Sequence, residues 1–318
     1  MMKGKEAMHN RKPRPAIRHI AILTLNLVIL TCGYRAPVAA QEPTVQDKFD
    51  AVTSKLTDHT YSLRYKFRPG DTLLYEVIHQ VSVKTLVQGT SQESQSRSKS
   101  RKSWKIDRSD APDTTILTHS VDYVDMWSKT SGRQPIQYDS RSDEQAPPDY
   151  ENISKMVKKP LSIVTVDAFG KVLERDDKIP QFDMGTGGMT VPLPNKPVKL
   201  GSEWSTPGLV RVRQSDGIQK AIKTRQLYRL EKVETGIATI SLSTEVLTPV
   251  DEPRIESQLI QRLSNGTIKF DIDAGVVRSR RLEWDETVVG FNGPESSMTY
   301  VARLTESLAP SKVARAAQ

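Results

Sequence analysis

Cysteine is nearly absent from this chain: Cys32 is the one cysteine among 318 residues. It ends an apolar run near the start, so we expect residues 41–318 to fold without a thiol or a disulfide. That excludes thiol catalysis and thiolate metal sites. Packing of apolar side chains must then stabilise the fold, and the chain is long enough to bury a large core.

Histidine is scarce as well. Beyond residue 40 the chain has only His59, His79 and His119, and no two of them have the His-x3-His spacing of a zinc site. The Gly-x-Ser-x-Gly motif of serine hydrolases is missing. We therefore predict no catalytic residue, no metal ligand and no cofactor. We interpret His119 as an exposed or hydrogen-bonded strand residue rather than a general base.

The start of the chain has the pattern of an export signal. Basic residues dominate positions 1–18, an apolar run covers 20–32, and Val38-Ala39-Ala40 provides small residues for cleavage. An apolar run of about 13 residues is too short to span a bilayer as a helix, which takes about 20. We predict a signal peptide over residues 1–40, cleavage after Ala40, and a periplasmic or extracellular protein. The alternatives are an uncleaved anchor and a lipoprotein acylated at Cys32, and we expect membrane association only in those two cases.

Positive charge is concentrated in that same segment. The whole chain carries a formal charge of +8, and residues 1–40 hold seven basic residues and one acid, which leaves +2 for the rest. Nucleic acid is therefore not an expected partner, because its binding needs a concentrated basic face. The remaining basic group is Arg97, Lys99, Arg101 and Lys102, within a serine-rich run over 88–102. We interpret that run as a solvated hairpin tip or mobile loop, with contact to an anionic partner as the alternative.

Strand patterns dominate the rest of the chain. Residues 41–60 are predicted to be a leader or a short amphipathic helix. In the next stretch large apolar residues alternate with polar ones, which predicts a strand; they are Tyr61, Leu63, Tyr65 and Phe67. A short helix is predicted over Tyr150–Lys159, with Ile153, Met156 and Val157 on one side.

Later segments of the chain repeat earlier ones in the same order. Residues 104–120 align without a gap on 228–244, which places Trp104 on Tyr228 and Ile116 on Ile240. The turns at Gly70 and Gly201 correspond, as do the hairpins closed by Gly170 and Gly275, where we expect positive φ.

We therefore predict a mainly-β protein made of two tandem, related antiparallel units, as curved sheets, half-barrels or a sandwich, with a few short helices. Unit 1 covers 61–175 and unit 2 covers 197–308. A Gly/Pro-rich connector over 176–196 joins them, and a disordered tail covers 309–318.

The order of these motifs resembles a family of uncharacterised exported bacterial proteins of mostly β structure. The resemblance rests on Pro69-Gly70-Asp71, on the segment 193–204, and on Phe270-Asp271 followed by Gly275. It implies no activity, because that family has none assigned. A weaker likeness, in topology alone, is to the curved half-barrels of bacterial lipoprotein carriers, which hold acyl chains.

The sequence favours a non-catalytic protein that binds an envelope protein or a polymer, with Trp127 and Trp284 as exposed aromatic contacts. The alternative is a carrier of an apolar ligand, such as a lipid or a lipoprotein acyl chain, in a concave sheet. The residues predicted to line that site are Tyr65, Phe67, Trp104 and Trp204. A hydrolase assembled from distant residues is the third hypothesis. A large dry groove would favour the carrier, and a fully packed core would favour the interaction protein.

Overall fold

One antiparallel sheet organises the computed structural model of the chain, in which residues 59–179 and 190–310 are described. Its strand order is β6-β5-β3-β2-β1-β12-β11-β10-β9-β8-β7, and β4 pairs with β3. The mainly-β prediction is confirmed. The twelve strands found in the described ranges are β1 Thr72–Val87, β2 Thr90–Arg108, β3 Thr114–Thr130, β4 Ile136–Asp139, β5 Pro160–Asp167, β6 Val172–Asp177, β7 Glu203–Arg213, β8 Gln219–Glu234, β9 Ile237–Val246, β10 Asn265–Asp271, β11 Val276–Val289 and β12 Ser297–Leu308.

The two predicted units are the two halves of this continuous sheet. In the first half β1, β2, β3, β5 and β6 follow one another across the sheet, and in the second half β7 to β11 do the same. β12 pairs with β1 on one side and with β11 on the other, so it joins the halves. Whether each half folds as a domain stays a prediction.

The halves begin with the same turn. The N–H of Gly70 donates to the Ile106 carbonyl at 2.8 Å, and the N–H of Gly201 donates to the Leu230 carbonyl at 2.7 Å. Both glycines have positive φ, 93° and 79°, which a glycine adopts without strain. Ile106 and Leu230 are the residues that the sequence alignment places on each other, so the pairing of 104–106 with 228–230 has matching hydrogen bonds.

Beyond that point the gap-free alignment is wrong by one residue. Ile106 pairs with Leu117 across β2 and β3, whereas Leu230 pairs with Ile240 across β8 and β9. Leu117, rather than Ile116, therefore corresponds to Ile240, and both are buried. The alignment has to shift here because a slip of one residue would move every side chain of the strand to the opposite face of the sheet, and the buried residues of the two halves would no longer correspond.

Two adjacent residues show how strongly the sheet curls. The N–H of Tyr65 donates to the Ala168 carbonyl in the β5–β6 turn at 2.9 Å, and the N–H of Lys66 donates to the Gly275 carbonyl in the β10–β11 turn at 3.0 Å. β5 and β11 are five strand spacings apart in the sheet order, which in a flat sheet would be about 24 Å. The sheet must therefore bend until these two turns lie on either side of one short segment.

Two extended stretches, the crossing segments 59–67 and 190–198, lie against the inner face of the curled sheet. They pair with each other through Tyr61 and Val198, and Leu63 and Leu193 are buried in the larger core cluster. The predicted strand over Tyr61–Phe67 is wrong in one respect, since only Tyr61 forms a bridge and the rest belongs to no ladder. Its alternation of buried and accessible residues is real, because an extended segment packed on a sheet has the same period of two.

The run over 88–102 contains the predicted hairpin tip, but most of it is strand and not loop. Gln88 and Gly89 alone form the turn, with φ of 49° and 76°, and the serine-rich run from Thr90 belongs to β2. Its register with β1 pairs Lys102 with Tyr75, so Lys102 is on the inner face of the sheet. The serines there alternate with Arg97, Lys99 and Arg101, which is the period of two expected of a strand.

Helices are few. α1, Glu151–Ser154, follows a 3₁₀ turn at Pro148–Tyr150, so the predicted helix over Tyr150–Lys159 is present but shorter. Ile153 and Val157 pack beside β3 and β4 as expected. α2, Pro253–Leu259, continues into a 3₁₀ turn, Ile260–Arg262. Within the described ranges, no helix has the length and apolar character needed to cross a membrane.

Several predictions concern residues outside the described ranges. They are the signal peptide over 1–40 with Cys32, most of the leader over 41–60, the middle of the connector, and all but the first residues of the tail over 309–318. These stay predictions.

Candidate functional site

An aromatic pocket lies between the crossing segments and the inner face of the sheet. Its volume is about 410 Å³, counting the part that opens to solvent. The crossing segments and β1, β2, β3, β11 and β12 all contribute to its wall, so it spans the junction between the two halves. The described residues that line it are Tyr65, Phe67, Leu73, Tyr75, Trp104, Leu117, Thr190, Val191, Val277, Arg280 and Glu306.

The structure brings together three of the four residues predicted to bind a ligand. Tyr65, Phe67 and Trp104 all line the aromatic pocket. Trp204 lies elsewhere, on the edge strand β7, where it stacks on Tyr228 with ring centroids 5.8 Å apart. Its indole N–H donates to the Pro192 carbonyl at 2.8 Å, so Trp204 holds a crossing segment against the second half of the sheet.

Hydrogen bonds fix the two tyrosines of the pocket. The Tyr65 hydroxyl donates to the Val191 carbonyl at 3.0 Å, and the Tyr75 hydroxyl donates to the Val277 carbonyl at 3.0 Å. Burial raises the pKa of both phenols above the usual range, so both are neutral. The Tyr65 ring also stacks on Phe67, with centroids 4.9 Å apart. These contacts make one wall of the pocket rigid and largely apolar.

A charged group that was not predicted from the sequence lies at this pocket, with Arg280 and Glu306 in the pocket wall. Glu306 of β12 forms ion pairs with Lys102 of β2 and with Arg280 of β11, the latter at 2.7 Å. The three side chains, called here the ion cluster, are 6% exposed for Glu306, 14% for Lys102 and 9% for Arg280. The Lys102 ammonium also lies over the Tyr75 and Trp104 rings, 5.3 and 5.4 Å from their centroids, where cations are attracted to the ring face.

The pKa values of the ion cluster follow from burial and charge. Burial alone would raise the pKa of Glu306, but the charges of Lys102 and Arg280 and their hydrogen bonds lower it to about 2. Burial lowers the pKa of Lys102, and the Arg280 charge lowers it further, while Glu306 opposes both. Glu306 is therefore ionised at neutral pH and pairs with both Lys102 and Arg280.

His119 of β3 pairs with Trp104 of the neighbouring strand β2. The two rings stack with centroids 4.8 Å apart, and His119 is 9% exposed. Neither ring nitrogen has a hydrogen-bond partner among the described residues. The prediction of an exposed or hydrogen-bonded histidine is therefore wrong, because β3 turns this side chain inward. Burial, and then the Lys102 charge, lower its pKa to about 3, so it is neutral.

The two tryptophans predicted as exposed contacts, Trp127 and Trp284, differ in how deeply they are buried. Trp284 is 2% exposed and belongs to the larger core cluster, so that part of the prediction is wrong. Its strand β11 pairs Trp284 with Ala302 on the inner face. Trp127 is partly accessible on β3 and pairs with Arg97.

Turn chemistry accounts for the acidic stretch Asp271–Asp273. The Asp271 carboxylate accepts the N–H of Ala274 at 2.8 Å and forms an ion pair with Arg278 at 3.3 Å. Across residues 59–179 and 190–310, no group of three or more His, Cys, Asp or Glu side chains is placed to hold a metal ion.

No protein-family model matches the chain, and no curated protein matches it. The structure of lipovitellin, solved for its lipid–protein interactions, is 11% identical to this chain, with a TM-score of 0.40. The match covers 80% of this chain and 26% of lipovitellin, so this chain spans about a quarter of that protein. The translocator domain of the autotransporter NalP from Neisseria meningitidis is 8% identical with a TM-score of 0.27, over 82% of this chain and 94% of that one. A DUF1329 family protein from Desulfovibrio piger is 13% identical with a TM-score of 0.12, over 82% of this chain and 92% of that one.

At these TM-scores none of the likenesses carries a function to this chain. The resemblance to a family of uncharacterised exported proteins, predicted from the sequence, has no matching family model. A protein of an uncharacterised family does occur among the distant structural neighbours.

Proposed function

We propose that this protein binds an apolar ligand, such as a lipid or an acyl chain, in the aromatic pocket and does not change it chemically. The observation that carries the proposal is the pocket itself. Eight of its eleven described lining residues are aromatic or aliphatic. Its wall thus has few polar groups, which is the composition that small-molecule sites have.

The same observation favours the carrier over the interaction protein. A fully packed inner face would have favoured the latter, and one of its two proposed contacts, Trp284, is buried. The inner face is packed in the second half of the sheet, where Leu63 and Leu193 fill it. In the first half Phe67 and Leu73 pack against the core cluster that contains Tyr75, Trp104 and Leu117, and these five residues also line the pocket.

The test is binding of a neutral probe. Nile red, which is uncharged and fluoresces in apolar surroundings, is titrated with the purified protein, and decanol is then used to displace it. The expected result is one saturable site that decanol empties.

Two tryptophans provide a matched pair of variants. Trp104→Leu removes a wall of the pocket, and Trp204→Leu removes an indole of the same size that stacks outside it. Trp104→Leu should weaken decanol binding by about tenfold, the effect of losing on the order of 1.4 kcal/mol of contact, whereas Trp204→Leu should leave it unchanged. Equal effects of the two variants, or no saturable binding by the unmodified protein, would overturn the proposal.

A further inference from the structure

We propose that the outer face of the sheet, at the edge formed by β7, docks on a membrane surface that carries anionic lipids. The residues concerned, called here the edge patch, are Leu209, Arg211 and Arg213 of β7, Lys223 of β8 and Leu247 just after β9. This inference goes beyond the proposed function and does not rest on it, because the aromatic pocket lies on the inner face of the sheet.

Strand pairing places the edge patch on one face. Val212 and Ile222 are buried in a core cluster with residues of α2, and side chains alternate along a strand, so the odd-numbered residues of β7 and β8 face the other side. Leu209 pairs with Lys223, and the N–H of Leu247 donates to the Lys223 carbonyl at 2.8 Å. The lysine therefore lies in one row between the two leucines.

The two leucines are mostly in contact with solvent. Leu209 is 57% exposed and Leu247 is 51% exposed, and two strand spacings separate them, about 10 Å. A single exposed leucine needs no explanation. Two of them in one row form an apolar strip, and it would be stabilised by any partner that removes both from water.

The charge around that strip is positive. Arg211, Arg213 and Lys223 are exposed and form no ion pair with any residue in the ranges 59–179 and 190–310. On the same face Arg225 and Glu245 pair with each other at 2.5 Å, which adds no net charge. The edge patch therefore combines exposed apolar side chains with three unpaired cations.

The basic run that stands out in the sequence lacks this property. Arg97 pairs with Asp125 at 3.3 Å, and Arg101 pairs with Glu76 at 2.7 Å. Carboxylates of the neighbouring strands thus neutralise much of the run over 88–102. An anionic partner is attracted more strongly to the edge patch.

The mixture of side chains favours a membrane over other anionic partners. Basic side chains are attracted to anionic head groups, and apolar side chains on the same surface can enter the boundary between head groups and acyl chains. An acidic polymer would meet the charge but would leave Leu209 and Leu247 in water. The sequence predicted membrane association only through an uncleaved anchor or a lipidated Cys32, and the edge patch needs neither.

The experiment measures sedimentation of the purified protein with lipid vesicles. One set of vesicles contains equal parts of phosphatidylcholine and phosphatidylglycerol, and the other contains phosphatidylcholine alone. The three cations of the edge patch should make binding to the anionic vesicles about a hundredfold tighter, at about fivefold for each basic residue near the surface. Added salt should weaken that preference.

Two pairs of arginines test the contribution of charge. Arg211→Ser combined with Arg213→Ser should weaken binding to the anionic vesicles about thirtyfold. Arg108→Ser combined with Arg133→Ser removes the same charge from exposed positions in the first half of the sheet, and it should leave binding nearly unchanged. Any N-terminal segment that the protein retains is the same in all variants, so a difference between them reports on the edge patch.

Two exposed leucines test the apolar contribution. Leu209→Ser should weaken binding to the anionic vesicles about tenfold, because a leucine that leaves water contributes on that order. Leu173 is 51% exposed on β6, the opposite edge of the sheet, with Glu174 and Asp176 near it in the strand. Leu173→Ser should have no effect.

Each outcome decides. Equal binding of the unmodified protein to the two kinds of vesicle would overturn the proposal, even if a variant does not fold. A loss from the Arg211 and Arg213 double variant without a loss from Leu209→Ser would overturn it in favour of an acidic polymer or protein. Control variants as weak as those of the edge patch would overturn it too. Nile red binding is measured separately, so its failure would overturn the proposed function alone.

Discussion

Lys102 of β2 reaches across β1 to form an ion pair with Glu306 of β12. In the register of the sheet Tyr75 pairs with Lys102 and Val77 pairs with Glu306, so the two charged residues lie diagonally on the inner face with one strand between them. Because Arg280 approaches Glu306 from β11, three strands contribute to one buried charged group, and β1 lies between two of them. The cluster ties the first half of the sheet to the second at the point where the pocket forms.

The members of the ion cluster should contribute unequally to stability. Glu306→Gln leaves Lys102 and Arg280 side by side without their carboxylate, and removing one partner of a buried pair costs about 3 to 5 kcal/mol. Lys102→Met leaves the Glu306–Arg280 pair complete and should cost less. Urea unfolding at neutral pH measures both, with Glu283→Gln, an exposed carboxylate beside Arg281, as a control expected to cost about 1 kcal/mol or less. A loss from Lys102→Met as large as that from Glu306→Gln would contradict this account.

His119 should make the protein lose stability in mild acid. Its pKa is about 3 in the folded protein against a reference value of 6.5, so the unfolded chain binds a proton that the folded one does not. This group leaves the free energy of unfolding unaffected above pH 6.5 and lowers it as pH falls from 6.5 towards 3, by on the order of 5 kcal/mol at most. His119→Leu should flatten the stability profile over that window and raise stability at neutral pH, since it removes two buried nitrogens that have no hydrogen-bond partner within residues 59–179 and 190–310.

The second half of the sheet shows that leucine suits this position. Leu242 pairs with Tyr228 across β8 and β9 as His119 pairs with Trp104 across β2 and β3. Chemical unfolding of both proteins at a series of pH values checks the prediction. An unchanged slope between pH 6.5 and 3 in His119→Leu would show that another group produces it.

Gly170 should affect both stability and binding. Its φ is 79°, and a Cβ there would lie 2.6 Å from the Tyr65 ring and 2.7 Å from the Val191 carbonyl, both in the pocket wall. Gly132 has a φ of 74° and no atom within 4 Å of such a Cβ. Both alanine variants suffer the backbone strain of about 1 kcal/mol or more, and Gly170→Ala adds about 1 to 3 kcal/mol of overpacking. Thermal unfolding and Nile red binding should show a larger loss of stability, and a loss of affinity, in Gly170→Ala alone.

The two halves should unfold together. β12 pairs with a strand of each half, and Tyr65 and Lys66 bond to a turn of each half. We therefore expect one calorimetric transition in which the calorimetric and van't Hoff enthalpies agree. Two resolved transitions would show that the halves are separate domains.

Export with cleavage after Ala40 is tested by sequencing the N-terminus of protein from its native envelope. A mature chain that begins at Gln41 is the expected result. A chain that begins at Cys32 and carries added lipid mass would replace this prediction with the lipoprotein alternative.

Alternation of side chains along the chain predicted the class of fold and three residues of the pocket wall, but not the register. Tyr65, Phe67 and Trp104 could be found because large apolar residues at every second position face one side. The one-residue error at Ile116 arose because the alternation of side chains is the same whatever the length of the turn between two strands. Alternation alone therefore does not fix which residues pair. Trp204 has the same local pattern as Trp104, and only the strand order, which sets one at the edge and the other near the centre, distinguishes them.

The ion cluster did leave a signal in the sequence. In β12 the inner positions are Ala302, Leu304, Glu306 and Leu308, so one carboxylate interrupts an apolar series. A charged residue in such a series predicts a buried partner. Its partners could not be named, because Lys102 and Arg280 are distant in sequence and meet Glu306 only through the strand order.

The position of β12 also constrains when the pocket can exist. It follows the other eleven described strands in the chain, yet it fills the gap between β1 and β11 in the middle of the sheet. Until residues 297–308 are available, two long central strands have unpaired edges and Lys102 and Arg280 have no carboxylate between them. A chain emerging from its amino end, from a ribosome or through a membrane pore, thus gains the aromatic pocket in a single late step. A product truncated before Ser297 should lack that pocket and be prone to edge-to-edge aggregation.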